Sequence, residues 1–266
     1  MNNFNLNIPF LQSDSEVDWE RLKCLKSNNI TAHFGDIEKA LISYISQANT
    51  CLGCIAWLTN ESILDALSKC EIVSIVVQKE DFLRPDPINM TSDWKKNEAL
   101  WKLKLQTMYN KLPRGVNHDD FMGFDEEKSF YNSPLRNDEP EIYKNGENAK
   151  KILSSTNISP DSISYAEGWE TNAVRYLGKV NTMKYPAFPR MHHKFLLFCE
   201  NPQTPYAVWT GSFNFTYNAT NSLENALYIT DENIVKAYYL EWVYTFVQSK
   251  SLDWKSKYQP ELRIGS

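Results

Sequence analysis

The sequence predicts an α/β fold: a mixed β-sheet covered by helices, with a large, partly irregular insertion. Three observations predict it. Runs rich in β-branched residues alternate with amphipathic segments over residues 30–83. Strand-like runs and a closing helix return over residues 172–250. Between them lie a proline-rich entry, one long amphipathic helix and a stretch over 115–156 without clear periodicity.

The elements follow in chain order. Residues 30–34 read as a short strand, and Asp36 is placed to cap a helix over 37–47 with Ile37, Ala40, Leu41, Tyr44 and Ile45 on its apolar face. Residues 52–58 give the next strand, 60–70 a second helix and 72–77 a β-branched strand. The long helix, 94–112, carries Trp94, Trp101, Leu105, Met108 and Leu112 on one stripe. That stripe reads as core and the lysines between as a solvated face; the competing reading is a basic wall that tracks a phosphate backbone. The acidic cluster of Asp119, Asp120, Asp125, Glu126, Glu127, Asp138, Glu139 and Glu141 reads as solvated surface, or as a cover over a cleft. Strand character resumes at 173–178. Residues 191–198 and 207–215 form a hairpin around Asn201-Pro202-Gln203-Thr204-Pro205, and 222–229 is a further strand. A helix over 231–248 closes the chain, with Ile234, Ala237, Tyr238, Trp242 and Phe246 inward. There is no internal repeat.

Composition narrows the function classes. With 266 residues, 42% hydrophobic and 13% aromatic, the chain can bury a sizeable core in one large domain or two closely packed ones. Its first residues lack the positive start and apolar run of a signal peptide, and no stretch reaches transmembrane length, so a cytoplasmic protein without a membrane partner is expected. The five cysteines (Cys24, Cys51, Cys54, Cys70 and Cys199) are an odd set and read as reduced thiols. Cys51-Leu52-Gly53-Cys54 has redox or zinc spacing, but with no second pair it reads as buried structure. A net charge of −5 excludes a globally basic surface for a polyanion, so any electropositive path is local.

The chemistry concentrates in two segments, His192-His193-Lys194 and Gly211-Ser212-Phe213-Asn214. Side chains two apart on a strand share a face, so His192 and Lys194 point one way and His193 the other. A register pairing His192 with Asn214 and Lys194 with Ser212 centres on Gln203 and brings the four polar groups together. A neutral imidazole can attack phosphorus to form a phosphohistidine, while an ammonium, an amide and a hydroxyl hold the non-bridging oxygens. Glu224, which shares a face with Ala226 and Tyr228, is the candidate for orienting the nucleophile. The leaving oxygen needs a proton, most simply from a second histidine, yet the chain has one H-x-K unit. Two chains supply two, and they bring two Lys194 and two Arg190 to one substrate. The other histidines read as ordinary: His118-Asp119-Asp120 as a surface cluster, and His33 without a partner nearby in sequence.

Met191-His192-His193-Lys194-Phe195 and Gly211-Ser212-Phe213-Asn214-Phe215-Thr216 resemble the H-x-K and G-S-x-N signature of the phospholipase D superfamily. Glu224-Asn225 stands where that family places its pair, and 36–41 leading into 54–59 is similar to its opening helix and strand. The likeness covers 30–83 and 172–250. It implies a domain in two parts, with an N-terminal segment (1–29), an insertion (84–171) and a C-terminal tail (251–266) around them. It also implies roles: His192 as nucleophile in one subunit and general acid in the other, Lys194, Ser212 and Asn214 on phosphate with Arg190 beside them, and Glu224 polarising the histidine. No metal and no cofactor is implied. Single-motif members resemble bacterial nucleases that act as homodimers with the site on the two-fold axis. In one departure, the family's aspartate seven residues after the first histidine is here Cys199, followed by Glu200, and the hairpin is longer. That aspartate is structural in the family, so the departure concerns the turn more than the chemistry.

The expected activity is therefore a metal-independent phosphodiesterase, a nuclease acting on DNA or RNA, with a role in restriction or antiviral defence. The alternatives are a phospholipid hydrolase or transphosphatidylase and a catalytically weak dimeric binding module. Base preference is not encoded in a backbone-phosphate site. It would lie in the insertion, the N-terminal segment or a separate partner protein that delivers the substrate.

Overall fold

A computed structural model of the chain describes residues 24–79, 93–116, 120, 172–178 and 190–252. Its strands are β1 (Cys24–Lys26), β2 (Ile30–His33), β3 (Thr50–Ile55), β4 (Ile72–Gln78), β5 (Val174–Leu177), β6 (Lys194–Cys199), β7 (Pro205–Gly211), β8 (Ala226–Ile229) and β9 (Lys250–Ser251). They form one nine-stranded sheet in the order β1-β2-β8-β7-β6-β3-β4-β5-β9. The β3, β4 and β5 strands run parallel, and every other neighbouring pair is antiparallel. The helices are α1 (Ile37–Ile45), α2 (Glu61–Leu67), α3 (Asp93–Tyr109), α4 (Tyr217–Thr220) and α5 (Glu232–Gln248). The mixed sheet covered by helices is the architecture that the alternation of patterns predicts.

Period-two alternation sorts the central strands onto two cores. Cys51, Ile55, Val73, Ile75, Leu196, Phe198 and Trp209 pack with Leu41 and Ile45 of α1, Ile63 and Leu67 of α2 and Leu105 of α3. Leu52, Cys54, Val76, Phe195, Leu197, Cys199 and Val208 face the other way, against Val235, Tyr239, Trp242 and Phe246 of α5. Each fully buried large side chain contributes about 1.5–3 kcal/mol of transfer free energy, so both faces are held firmly. Cys51, Cys54 and Cys199 behave as small core residues, Cys70 is half-buried, Cys24 is exposed, and all five are free thiols. His33 does find partners, its Nε2 lying 3.3 Å from the Tyr44 hydroxyl and its ring tilted against Trp209.

Several boundaries and faces differ from expectation. Asp36 does not cap α1 through its side chain, because its backbone is left-handed (φ 51°) where a capping residue is extended. Asn60 does cap α2, accepting from the Ile63 N–H at 3.1 Å. Of the expected stripe on α3 and just past its end, Leu105 and Leu112 are buried and Met108 packs against the core, but Lys102 and Tyr109 join it from one residue round. Lys102 is thus buried rather than solvated, its long stem able to lie along apolar surface, and Trp101 is 41% exposed rather than core. On α5 the inward residues are Val235, Tyr239, Trp242 and Phe246; Ile234 and Ala237 face out, since the spacing of Val235 to Trp242 follows the helical period better. The sheet extends past both expected edges, through β1 and β9, and α3 from the expected insertion packs on α2. His118 and Asp119, and the acidic cluster except Asp120, lie outside the residues described, as does the side chain of Trp94. Asp120 pairs with Arg114 at 2.5 Å.

Candidate active site

The site is built at one end of β6, where the chain enters from Met191. Two contacts hold that entry. The Met191 N–H donates to Gln78 Oε1 at 2.7 Å, and the Ala56 N–H donates to the His193 carbonyl at 2.8 Å, which carries the β3–β6 pairing past the formal strand. The Gln78 amide is itself fixed, donating to the Lys79 carbonyl at 3.0 Å. Gly178 makes room for it, because at its φ of +91° an added Cβ would stand 2.5 Å from Gln78 Oε1.

From this anchored backbone the two adjacent histidines diverge. His193 Nε2 lies 2.9 Å from Glu241 Oε1 of α5, and its ring packs edge-on to Phe195. His192 turns to the opposite side, exposed, with the Trp57 indole edge-on at 5.4 Å. Lys194 follows His192 as alternation requires, its Nζ 3.1 Å from both Nδ1 and the carbonyl oxygen of His192.

The second arm comes from the end of β7. Here the expected register is wrong by one residue. Phe195 pairs with Thr210, which puts Lys194 opposite Gly211 rather than Ser212, because the hairpin carries an irregularity at Phe198/Cys199 with Cys199 against Pro205. Ser212 and Asn214 therefore do not reach the site by strand alternation. They reach it because the chain leaves the sheet after Gly211, where a Cβ would collide with the Asn225 carbonyl and the Ala226 Cα. The Ser212 N–H donates to the Asn225 carbonyl and the Asn225 N–H to Ser212 Oγ, each at 3.1 Å, and the Ser212 hydroxyl donates to the Glu224 carboxylate. Phe213 and Phe215 are buried on either side of Asn214, and the Phe215 carbonyl accepts from the Thr59 and Asn60 N–H groups at 2.8 and 2.9 Å. The loop is thereby tied to the start of α2.

Asn214 and Glu224 line an open groove of about 930 Å³, together with Trp57, which also touches His192. The Asn214 amide oxygen is buried and accepts no hydrogen bond from the described residues. A half-turn of the amide would exchange its oxygen for its NH2 donors, so the group can answer either an acceptor or a donor. Glu224 is placed differently from its expected use as the partner of His192: it accepts a hydrogen bond from Ser212, and its charge acts on Lys194. Burial holds the Lys194 pKa below its ordinary value, and Glu224 opposes that shift. Burial also lowers the His192 pKa, followed by the charges of Lys194, Arg190 and His193. Arg190, exposed just ahead of the motif, thus belongs to the field at the site.

Cys199 is buried at the end of β6, and burial pushes its thiol pKa up. The turn that a motif aspartate would accompany is closed by Asn201, whose Oδ1 accepts from the Gln203 N–H and the Thr204 hydroxyl, both at 3.0 Å. Sequence reasoning placed Asn201 in this turn but missed Gln78 and Trp57. Only Gln78 left a readable signal, as a lone amide at the end of a strand that is apolar but for Ser74.

Comparison with known proteins places this geometry in a wider setting. The family description "Cardiolipin synthase, PLD-like domain" matches residues 142–242. A curated protein of Acanthamoeba polyphaga mimivirus, itself described as uncharacterized, is 33% identical over 232 residues, which span 87% of this chain and 70% of that protein. Among solved structures, the phospholipase D family member Nuc from Salmonella typhimurium aligns with a TM-score of 0.40 and 15% identity, over 83% of this chain and 97% of that one. NucT from Helicobacter pylori aligns with a TM-score of 0.39 and 14% identity, over 84% and 98%.

Proposed function

The chain belongs to the phospholipase D superfamily of phosphodiesterases, and from that membership we propose that it is a nuclease that cleaves DNA or RNA through a phosphohistidine at His192. The observation that supports this most is the meeting of two motifs: Lys194 lies against His192, Ser212 against Glu224, the charge of Glu224 acts on Lys194, and Asn214 and Glu224 line a groove with Trp57, which touches His192. Lys194 and the Asn214 amide supply the charge and the donors that a phosphoryl group needs during in-line displacement, and Arg190 adds to the local positive field. The chain holds one H-x-K unit, as the nuclease-like branch does.

The proton inventory of the free site points to how substrate sets it up. An ammonium 3.1 Å from Nδ1 makes that nitrogen an acceptor, which leaves the ring proton on Nε2. Attack from Nε2 requires the other tautomer. A phosphate arriving at the site draws Lys194 onto a non-bridging oxygen and releases Nδ1 to take the proton. Nε2 then attacks phosphorus, the N–P bond forms, and the ester P–O bond breaks. A protonated second imidazole gives its proton to the leaving oxygen. Now neutral, that imidazole takes a proton from water, which attacks phosphorus and breaks the N–P bond, leaving a phosphomonoester and an alcohol.

Among the other described histidines, His193 is turned to Glu241 and His33 is buried under Tyr44 and Trp209, which leaves both poorly placed to be the second imidazole. His192 of a second copy fits the role, which makes a homodimer part of the proposal.

Purified protein incubated with labelled DNA, labelled RNA and phosphatidylcholine vesicles in excess chelator tests the reading. Chelator-resistant cleavage of a polymer, lost in His192→Ala, is the expected result. Choline release without polymer cleavage would reassign the pocket to a phospholipid, and no turnover of any substrate would leave a binding module.

A further inference from the structure

The groove beside the site has a character that a phosphate track would not have. Glu38, Glu61 and Glu224 line it, and no lysine or arginine does among the described residues. Its remaining large side chains are aromatic and come from three separate elements: Trp57 after β3, Trp101 on α3 and Tyr217 on α4. Trp101 is 41% exposed and Tyr217 61% exposed, a costly way to present such surface unless something flat covers it.

We propose that this groove receives the unpaired bases of a single-stranded nucleic acid, stacked on Trp57, Trp101 and Tyr217, while its carboxylates keep the phosphate backbone outside. The inference rests on the nuclease reading and adds the class of substrate. A strand whose scissile phosphate sits at His192 and Lys194 must send its next nucleotides somewhere, and Trp57 touches the His192 ring while also lining the groove. It is the first rung. Aromatic side chains stack on any base without regard to sequence, but only when the base is free of its duplex neighbours. The carboxylates suit the same occupant. Glu38 accepts from the Asn60 amide at 2.8 Å and Glu61 from Lys104, so both are held in place. Their remaining lone pairs can accept from exocyclic amines and ring N–H groups, edges that a duplex has already paired. A cationic lipid headgroup would favour carboxylates not already committed to donors, and it would fill only a small part of a groove of about 930 Å³.

The test uses the whole protein and three substrates: a fluorescent single-stranded oligonucleotide, the same sequence as a duplex, and bis(p-nitrophenyl) phosphate. Wild-type kcat/KM is expected to favour the single strand over the duplex by about tenfold or more. Trp101→Ala and Tyr217→Ala, at exposed positions that do not support the core, are expected to raise KM on the single strand by about tenfold each, well beyond their effect on bis(p-nitrophenyl) phosphate. Single-strand KM values that stay at the wild-type level in both variants, or equal cleavage of duplex and single strand, would overturn the inference and leave the nuclease reading standing. His192-dependent hydrolysis of bis(p-nitrophenyl) phosphate with neither polymer cleaved would remove the nuclease reading and this inference together.

Discussion

The side chain of Gln78 reaches from the end of β4 to the backbone of Met191, accepting its N–H at 2.7 Å one residue before His192. Gln78 is fully buried, so the bond has no water to replace it. Gln78→Leu would leave the Met191 N–H without its acceptor and cost about 1–3 kcal/mol of stability. Urea denaturation should show that loss. Because the same bond aims His192, kcat should fall while KM for substrate stays near the wild-type value. A variant that is destabilised but turns over normally would make Gln78 a support of the fold alone.

The lowered pKa of His192 sets a pH profile. Burial and the neighbouring charges of Lys194, Arg190 and His193 disfavour the imidazolium, so the neutral imidazole persists below the ordinary histidine value of 6.5. The acid limb of kcat/KM should therefore fall below pH 6.5. Arg190→Ala removes one of the opposing charges, so the limb should move upward, and an unmoved limb would separate Arg190 from the titration.

Stability follows the same sign. His33 and His192 both have folded-state pKa values below the unfolded one, so in that window the unfolded chain binds more protons. The folded state is unpenalised above pH 6.5 and loses stability as pH falls through the folded-state values. Denaturation midpoints measured at pH 7.5 and at pH 5 should show the decline, and His33→Gln should lessen it.

Gly211 tests the second arm. A Cβ there would meet the Asn225 carbonyl and the Ala226 Cα, both backbone, and neither can rotate away. Gly211→Ala should therefore force the ends of β7 and β8 apart, at a cost of about 1–3 kcal/mol. It should also displace Ser212 from Glu224. The expected result is a lower Tm together with a larger loss of activity than that destabilisation explains. An alanine variant with wild-type turnover would show that the Ser212–Glu224 contact is not needed.

Strand periodicity was enough to place His192 and Lys194 together and to send His193 away, because the apolar residues of β6 alternate cleanly between two cores. It was not enough for Ser212 and Asn214. Their position depends on the irregularity at Phe198/Cys199 and on the close approach at Gly211, and both arise from tertiary neighbours rather than from local pattern. The helix faces show the same limit. A stripe through Trp101 and one through Lys102 differ by a single residue of phase, and hydrophobicity alone chose the tryptophan. Trp57 carried no signal at all, since its importance lies in touching His192 from a loop far away in the chain.

A shared site makes one further demand, on the arithmetic of mixed subunits. If each catalytic event uses His192 from both copies, a dimer of one wild-type chain and one His192→Ala chain lacks either the nucleophile or the acid. After equal amounts are mixed and allowed to exchange, only about a quarter of the dimers retain both groups, so the activity per wild-type chain should fall to about half. A monomeric enzyme would lose nothing per wild-type chain. Sedimentation should show the dimer, and full retention of activity after proven exchange would place the whole reaction within a single chain.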